Sequence, residues 1–274
     1  MIRTLALLAL FACASAQSES LQCTTVSSVP LTISAPGSYC LTGNLASSSG
    51  TAITIQADNV VLDLNGHTLS GPGGSSSTGI SSNLRRGLRI RNGTLRGFTN
   101  AVFIDDHNSP FTYGGVSSRH EVNDLRIEGA YTAISVVGSY SSIHHNTILD
   151  SAQYGIFSAT VSGTGSGAVN ILANQIFNTG STTAANPVYG ISAGGTGSLI
   201  QDNAVANVRG PANSAAVRTT TAGNNVSHNR ESDYDTAYAV SCTNGTKVEG
   251  NLATTGNGVV GCNQPTANTY NSNF

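Results

Sequence analysis

The sequence predicts an all-β solenoid, a stack of coils that are each built from short strands, and three observations lead to this fold class. One phrase recurs, namely an aliphatic residue, two variable residues, Asn, one variable residue and a small or aliphatic residue. It occupies 143–148, 171–176, 200–205 and 248–253, with a degenerate copy at 226–231. The Asn residues that anchor this phrase or its looser versions are 22 to 31 residues apart, and they are Asn65, Asn92, Asn123, Asn146, Asn174, Asn203, Asn229 and Asn251. Such a period marks a solenoid, and the Asn, Gly, Ser and Thr between the apolar runs show no helical periodicity.

The strands of each repeat are indicated by two or three runs of three to five residues in which apolar and polar positions alternate. If successive coils stack about 4.8 Å apart, equivalent strands pair and the inward aliphatic side chains form columns. One predicted column contains Ile143, Ile171, Ile200, Val226 and Val248. A second contains Ile134, Ile156, Ile191, Val217 and Val240, and each of these residues follows a Gly or an Ala.

The recurring Asn fits a sharp bend between two strands, because Asn tolerates the left-handed backbone conformation. Its amide can also hydrogen-bond the Asn of the next coil. We therefore expect a ladder of Asn side chains along one edge of the stack.

The repeated phrase, followed in each coil by a pair such as Gly155-Ile156, resembles the parallel β-helix repeat of the pectin lyase-like superfamily. The resemblance covers roughly residues 50–262, and the stretch 59–69 is typical of an early coil in secreted bacterial β-helix proteins. It implies a single-domain right-handed parallel β-helix of about eight to nine coils over 51–262, after a cap segment at 17–50 and before a C-terminal tail at 263–274. A leucine-rich repeat has a similar period, but Leu is sparse in these repeats and the L-x-x-L-x-L lead-in is missing.

The N-terminus carries the features of a secretory signal peptide. Arg3 gives a positive n-region, 5–12 is apolar, and Ala14-Ser15-Ala16 is an A-x-A cleavage site ahead of Gln17. The apolar run is too short for a membrane anchor, which needs about 20 residues. Phe11 makes the segment before Cys13 a poor lipoprotein box, so lipidation of that cysteine is the less favoured alternative. The sequence thus predicts a signal peptide at 1–16 and a secreted protein, extracellular or periplasmic.

Composition limits the classes of partner. The chain has 39% hydrophobic residues, 9% charged residues and a formal net charge of −2, which is typical of a folded domain and not of a disordered chain. Removal of Arg3 leaves 11 basic and 14 acidic residues. A slightly acidic protein is not expected to take nucleic acid or an anionic membrane as its main partner. The oligomeric state is not indicated.

Four cysteines remain after cleavage, and an even number in an exported chain favours disulfides. Cys23 and Cys40 flank a Pro- and Gly-containing segment, so this local pair would staple the cap. Cys242 and Cys262 end similar phrases on adjacent coils, where their Cα atoms would lie about 5 Å apart. Two buried free thiols at that place are the alternative.

The longest interruption of the repeats, 105–121, is the candidate site, because functional residues concentrate on long loops of a rigid scaffold. Glycoside hydrolysis needs two carboxyl groups, and Asp105 and Asp106 supply a pair beside His107. This arrangement resembles the acidic strand-end site of polygalacturonase-like members of the superfamily, although their G-H-G and R-I-K phrases are absent. A turn in which the Asp side chains bond nearby backbone amides is an equally good interpretation.

Substrate contact is expected from side chains around this loop and on the outward face of the adjoining strands. Asp105 has the parity of Phe103, which points outward. The residues predicted to bind substrate are Phe103, Arg119, His120, Glu121, Tyr131 and Phe157. Their aromatic rings offer stacking surfaces for sugars.

A lyase reaction is the second chemical possibility, but the only Lys is Lys247 near the C-terminal end. The densest cationic group comprises Arg85, Arg86, Arg89, Arg91 and Arg96. These side chains could grip uronate or sulfate groups, or simply solvate the outer face of a sheet. His144 and His228 would lie three coils, about 15 Å, apart, so no metal site is predicted, and no cofactor.

The function predicted from these residues is binding of a polysaccharide, with cleavage by a polygalacturonase-like or lyase-like reaction left open. The alternative is a structural or adhesive β-helix, or a carbohydrate-binding protein, without chemistry.

Overall fold

The structure is a computed structural model that describes residues 23–74, 76–106, 118–159, 167–232, 238–243, 245–253 and 258–262. The predicted signal peptide at 1–16, the predicted tail at 263–274 and residue His107 lie outside these ranges. All regular elements in the described ranges are strands. No helix of the described residues is long and apolar enough to cross a membrane.

The strands of the described residues have the following bounds: β1 (Thr24–Val26), β2 (Leu31–Ile33), β3 (Gly37–Leu41), β4 (Leu45–Ala46), β5 (Thr51–Ile55), β6 (Val60–Asp63), β7 (Thr68–Ser70), β8 (Thr78–Asn83), β9 (Arg89–Arg96), β10 (Asn100–Asp105), β11 (Glu121–Glu128), β12 (Thr132–Val137), β13 (Ser141–His144), β14 (Thr147–Leu149), β15 (Tyr154–Ala159), β16 (Val169–Leu172), β17 (Gln175–Gly180), β18 (Tyr189–Ala193), β19 (Leu199–Gln201), β20 (Ala204–Arg209), β21 (Ala215–Thr219), β22 (Asn225–Ser227), β23 (Arg230–Ser232), β24 (Tyr238–Ser241), β25 (Lys247–Glu249), β26 (Leu252–Ala253) and β27 (Val259–Val260).

These strands form two parallel sheets. Within the described ranges the first sheet has 17 strands and the second has ten, the latter in the order β2-β5-β8-β10-β12-β15-β18-β21-β24-β27. Each strand pairs with its equivalent one repeat later, as β13 does with β16 and β15 with β18. The fold is therefore all-β and parallel, consistent with a parallel β-solenoid. The strands β1 to β4, which lie in the predicted cap segment, also pair in parallel with later strands.

The core lies between the sheets and consists of the predicted aliphatic columns. In the first sheet Ile143 is in register with Ile171, and the column continues through Ile200, Val226 and Val248. In the second sheet Ile134 is in register with Ile156, and the column continues through Ile191, Val217 and Val240. All ten side chains are fully buried, which confirms both columns.

The predicted Asn ladder is confirmed over five repeats. The Asn146 Nδ2 donates to the Asn174 Oδ1 at 3.0 Å, and the same bond recurs at 2.9 to 3.0 Å through Asn203, Asn229 and Asn251. Each acceptor oxygen also takes the backbone N–H of the preceding Asn, as at Asn146. The side chains are buried, so the ladder satisfies polar backbone groups inside the bend.

The Asn prediction is wrong in two details, although Asn65 and Asn92 do adopt the left-handed backbone conformation. The left-handed residue of the bend is the one before the ladder Asn, at His145, Ala173, Asp202, His228 and Gly250. The earlier Asn residues also lie outside the ladder. Asn123 is in register with His144, which lies two residues before Asn146. At this end of the ladder the Asn146 Oδ1 accepts the backbone N–H of Leu125, and not that of an Asn.

Both predicted disulfides are present among the described residues. The Cα atoms are 5.7 Å apart in Cys23–Cys40 and 4.8 Å apart in Cys242–Cys262, which confirms the local connectivity. The register of the second pair is offset by one residue, because Ser241 faces Val260 and Cys242 therefore faces Gly261. The disulfides indicate an extracellular or otherwise oxidising environment.

Candidate functional site

The outward side of the second sheet carries a group of aromatic side chains, and the backbone explains why they point outward. In β15 the small Gly155 and the aliphatic Ile156 are both buried, whereas Tyr154 and Phe157 on either side are partly exposed. A Cβ atom at Gly155 would lie only 2.5 Å from the Gly190 carbonyl oxygen and 2.7 Å from the Ile176 Cγ2. The small residue of each repeat is therefore needed where the two sheets approach closely, and the residues beside it are left for the surface.

Several side chains of this surface, which we call the aromatic face, contact one another. Its members are Phe103, Tyr131, Tyr154, Phe157, Tyr189 and Arg218. The Tyr154 and Tyr189 rings are stacked, with centroids 5.7 Å apart, and the Phe157 ring meets Tyr154 edge-on at 5.4 Å. Both geometries are favourable for aromatic pairs.

Arg218 brings a positive charge to the aromatic face. Its Cζ lies 4.7 Å above the centre of the Tyr189 ring, a cation–π contact. In the described part of the chain no carboxylate lies within ion-pair distance of this guanidinium. Within the described residues, the group that this charge contacts is therefore an aromatic ring.

The phenol of Tyr154 is held in its neutral form. Burial raises its pKa, the neighbouring phenols of Tyr189 and Tyr131 raise it further, and Arg218 opposes the shift. Tyr131 is 46% exposed, so the group reaches from a covered centre at Tyr189 to an open margin. The face can offer the hydroxyl group of Tyr154 as a hydrogen-bond donor together with ring surfaces.

The predicted catalytic carboxylates have different environments. Asp105 ends β10 and lies on the same side of the strand as Phe103, partly exposed beside the aromatic face. Asp106 is buried, and its Oδ2 lies 2.8 Å from the Nε2 of buried His120. Its Oδ1 accepts the backbone N–H of Arg85 at 3.2 Å. The Asp106–His120 pair thus links the residue after β10 to the residue before β11 in the interior.

Arg119 and Glu121 lie at a different place, on the outside of the first sheet. They line a cleft of about 310 Å³ together with Asn59, Val61, Gly87, Leu88 and Arg89. Glu121 accepts a hydrogen bond from Arg89 at 2.5 Å and lies 3.3 Å from the Nε2 of His144. The structure therefore brings Phe103, Tyr131 and Phe157 to one face, joins Asp106 to His120 in the interior, and separates Arg119 and Glu121 from both.

The predicted arginine group is largely paired within the first sheet. Arg91 forms an ion pair with Asp63 at 3.0 Å, and the Arg96 Nε donates to the Ser70 hydroxyl at 3.1 Å. With the Arg89–Glu121 pair, these contacts link neighbouring strands. Across the described ranges no group of three or more His, Cys, Asp or Glu side chains could hold a metal ion.

Three members of the aromatic face, Tyr154, Tyr189 and Arg218, are not among the residues that were predicted from the sequence to bind substrate. Tyr189 could have been found, because Tyr189-Gly190-Ile191 repeats the phrase Tyr154-Gly155-Ile156. Arg218 could have been found only through the register, since Ser192 separates it from Phe157 in the stack.

No protein-family model matches the chain, and no curated protein is significantly similar to it. The residues and their geometry are therefore the basis for a functional assignment.

Proposed function

We propose that the protein binds a polysaccharide through the aromatic face, and that it does so as a secreted, single-domain, right-handed parallel β-helix of the pectin lyase-like kind. The observation that carries the proposal is the concentration of aromatic side chains on one outward surface of a rigid parallel sheet. Sugars stack on aromatic rings through their C–H faces and take hydrogen bonds from neighbouring hydroxyls, and Tyr154 supplies both kinds of group. The two disulfides and the signal-peptide pattern at 1–16 support an extracellular or periplasmic location, where polysaccharides are available.

The different environments of the Asp105 and Asp106 carboxylates favour binding over cleavage. A hydrolase needs two carboxyl groups that flank one bond. Asp106 is buried and held by His120 and by the backbone N–H of Arg85, so its carboxylate serves the protein's own hydrogen bonds. This leaves Asp105 as the carboxylate beside the aromatic face.

The experiment that tests binding is gel electrophoresis through a panel of soluble polysaccharides, in which a bound protein migrates more slowly. We expect at least one polysaccharide to retard the wild type, and the double change Tyr154→Ala with Phe157→Ala to abolish the effect. Phe177→Ala is the matched control, because Phe177 is also a half-buried outward aromatic residue on a central strand, but of the first sheet. If no polysaccharide retards the wild type, the structural or adhesive alternative replaces this proposal.

Cleavage is the second candidate, supported by the position of Asp105 beside Phe103. Each polysaccharide that binds is then incubated with the protein, and new reducing ends and the absorbance of unsaturated products are measured. A hydrolytic site at Asp105 predicts that Asp105→Asn lowers turnover by several orders of magnitude while binding and melting temperature are kept. Equal turnover by wild type and Asp105→Asn would place the active site elsewhere.

A further inference from the structure

Large and small side chains alternate along the outward row at the centre of the aromatic face. The register of the second sheet places these residues in line on successive strands from β10 to β24, in the order Phe103, Ser135, Phe157, Ser192, Arg218 and Ser241. Ser135 and Ser192 are 6% and 2% exposed, so the large side chains on either side overhang them. The protruding groups of this row therefore recur on every second strand.

The alternation sets a distance. Neighbouring strands of a sheet lie about 4.8 Å apart, so Phe103 and Phe157 are separated by about 9.6 Å along the stack, and Arg218 lies about 9.6 Å beyond. A ligand that matches the row must present the same face at this interval. In an extended chain of equatorially linked pyranoses, such as a β-1,4-linked glucan, successive sugars are turned over by half a turn, and the two-sugar repeat is nearly as long as two strand spacings.

Charge adds a second requirement. The third protruding position is Arg218, whose guanidinium contacts the Tyr189 ring and, in the described ranges, no carboxylate. A guanidinium fork is suited to a carboxylate or sulfate oxygen pair. A ligand that stacks on Phe103 and Phe157 places one of its substituents next to this charge.

We infer, on the basis of the proposed function, that the polysaccharide is an extended two-fold ribbon with acidic substituents. It crosses the strands of the second sheet, stacks every second sugar on Phe103 and Phe157, and pairs an acidic group with Arg218. Linkage geometry and charge are thus two separate determinants of specificity, carried by different residues.

The test separates these determinants with four soluble polymers in the same retardation assay. Carboxymethylcellulose is an acidic ribbon, hydroxyethylcellulose a neutral ribbon, polygalacturonate an acidic chain of axial linkages, and pullulan a neutral chain of axial linkages. We expect the apparent affinity to be highest for carboxymethylcellulose and lower for hydroxyethylcellulose, and both to exceed the affinity for the two axially linked polymers. Phe103→Ala and Phe157→Ala should each weaken binding to both ribbons about tenfold, as expected for the loss of one aromatic platform.

Arg218→Gln should lower the affinity for carboxymethylcellulose to that for hydroxyethylcellulose, and Arg218→Lys should restore part of the difference. Phe177→Ala should leave all four affinities unchanged, and melting temperatures show which variants are folded. Retardation by polygalacturonate or pullulan as strong as by the ribbons would overturn the inference about linkage while polysaccharide binding stands. Equal binding of the two ribbons, or no effect of Arg218→Gln, would overturn the assignment of charge recognition. Retardation by none of the four polymers and by no member of the wider panel would overturn the proposed function itself.

Discussion

Among the described residues, Glu231 has the environment that departs most from what its chemistry favours. Its Cα is in register with Val205 on one side and with Ala253 on the other, so its carboxyl group occupies a place in an apolar column. It is fully buried, and neither carboxyl oxygen has a hydrogen-bond partner among the described residues. Burial raises the pKa of Glu231 to about 8, so the folded protein keeps this side chain protonated at neutral pH.

The burial of Glu231 predicts a particular dependence of stability on pH. An unfolded chain ionises this group near 4.5, whereas the folded chain keeps its proton until pH rises to about 8. Between these values the folded state binds the extra proton, so the contribution of Glu231 to the free energy of unfolding falls as pH rises, by on the order of 1 kcal/mol per pH unit. Below about pH 4.5 the contribution is constant, and above about pH 8 it is constant again at its lowest value.

The measurement is the melting temperature of wild type and Glu231→Gln at pH 5 and pH 8. Gln keeps the shape of the side chain and does not ionise. The melting temperature of the variant should therefore rise relative to that of the wild type as pH rises, because the other titrating groups contribute equally to both proteins. Glu231→Val should melt higher than both at pH 8, because it removes a polar group that has no partner in the described core. Parallel pH profiles for wild type and Glu231→Gln would show that Glu231 does not titrate over this range.

At the scale of the element, the Asn bend determines how each repeat turns from one half of the first sheet to the other. Asn203 shows the full set of bonds. Its Oδ1 accepts the Asn174 backbone N–H at 2.9 Å, and its Nδ2 donates to the Asn229 Oδ1 and to the Ile171 carbonyl oxygen, both at 2.9 Å. Water cannot replace these partners, since the side chains are buried.

We therefore predict that Asn203→Ala lowers the free energy of unfolding by about 3 kcal/mol, because several buried polar groups lose their partner at once. The matched control is Asn170→Ala, since Asn170 is an exposed outward residue of β16 in the same part of the stack. Thermal melting of both variants against the wild type is the measurement. An equal decrease in stability in the two variants would show that a ladder Asn contributes no more to the free energy of unfolding than an ordinary surface Asn.

The repeats could be predicted because their signal is local and recurs. A phrase such as Ile171 to Ile176 fixes which side chain is buried, and its spacing fixes which residues face one another. The left-handed residue of the bend could not be located by the same means, because Asn is common both at such positions and in side-chain ladders. The structure assigns the ladder to Asn and the strained backbone to the residue before it.

The site was less predictable because it depends on relations between repeats. Asp106 follows the strand end, where the alternation of faces no longer applies, so its burial against His120 has no local signal. Arg218 belongs to the aromatic face only because β21 is two strands from β15 in the second sheet. The ring residues Phe103 and Phe157 were predictable, since strand parity alone places them outward.

At the scale of the whole molecule, each strand pairs with its equivalents in the preceding and following repeats, and the contacts that join the two sheets, such as those of β17 with β18, also lie within one repeat or between neighbouring repeats. A chain of such nearest-neighbour contacts is stabilised repeat by repeat, and a change at one end is not expected to reach the other. The two disulfides lie at opposite ends of the described stack, with Cys23–Cys40 joining β3 to the segment before β1 and Cys242–Cys262 joining the segments after β24 and β27. Each can therefore be removed as a local probe of its own end.

We predict that removing one disulfide loosens only the end of the stack that it joins. In the double change Cys242→Ser with Cys262→Ser, amide hydrogen exchange should accelerate in β24 to β27 and stay at the wild-type rate in β5 to β10, because opening of the terminal repeats breaks no contact of the distant ones. The matched variant, Cys23→Ser with Cys40→Ser, should show the opposite distribution. Exchange should be faster than in the wild type in β1 to β4 and unchanged in β21 to β27. Exchange is read by mass spectrometry of peptides from the folded protein, so that each strand is followed separately. Faster exchange in all strands of either variant would mean that the stack unfolds as one cooperative unit, and the repeats would then not be the units of its stability.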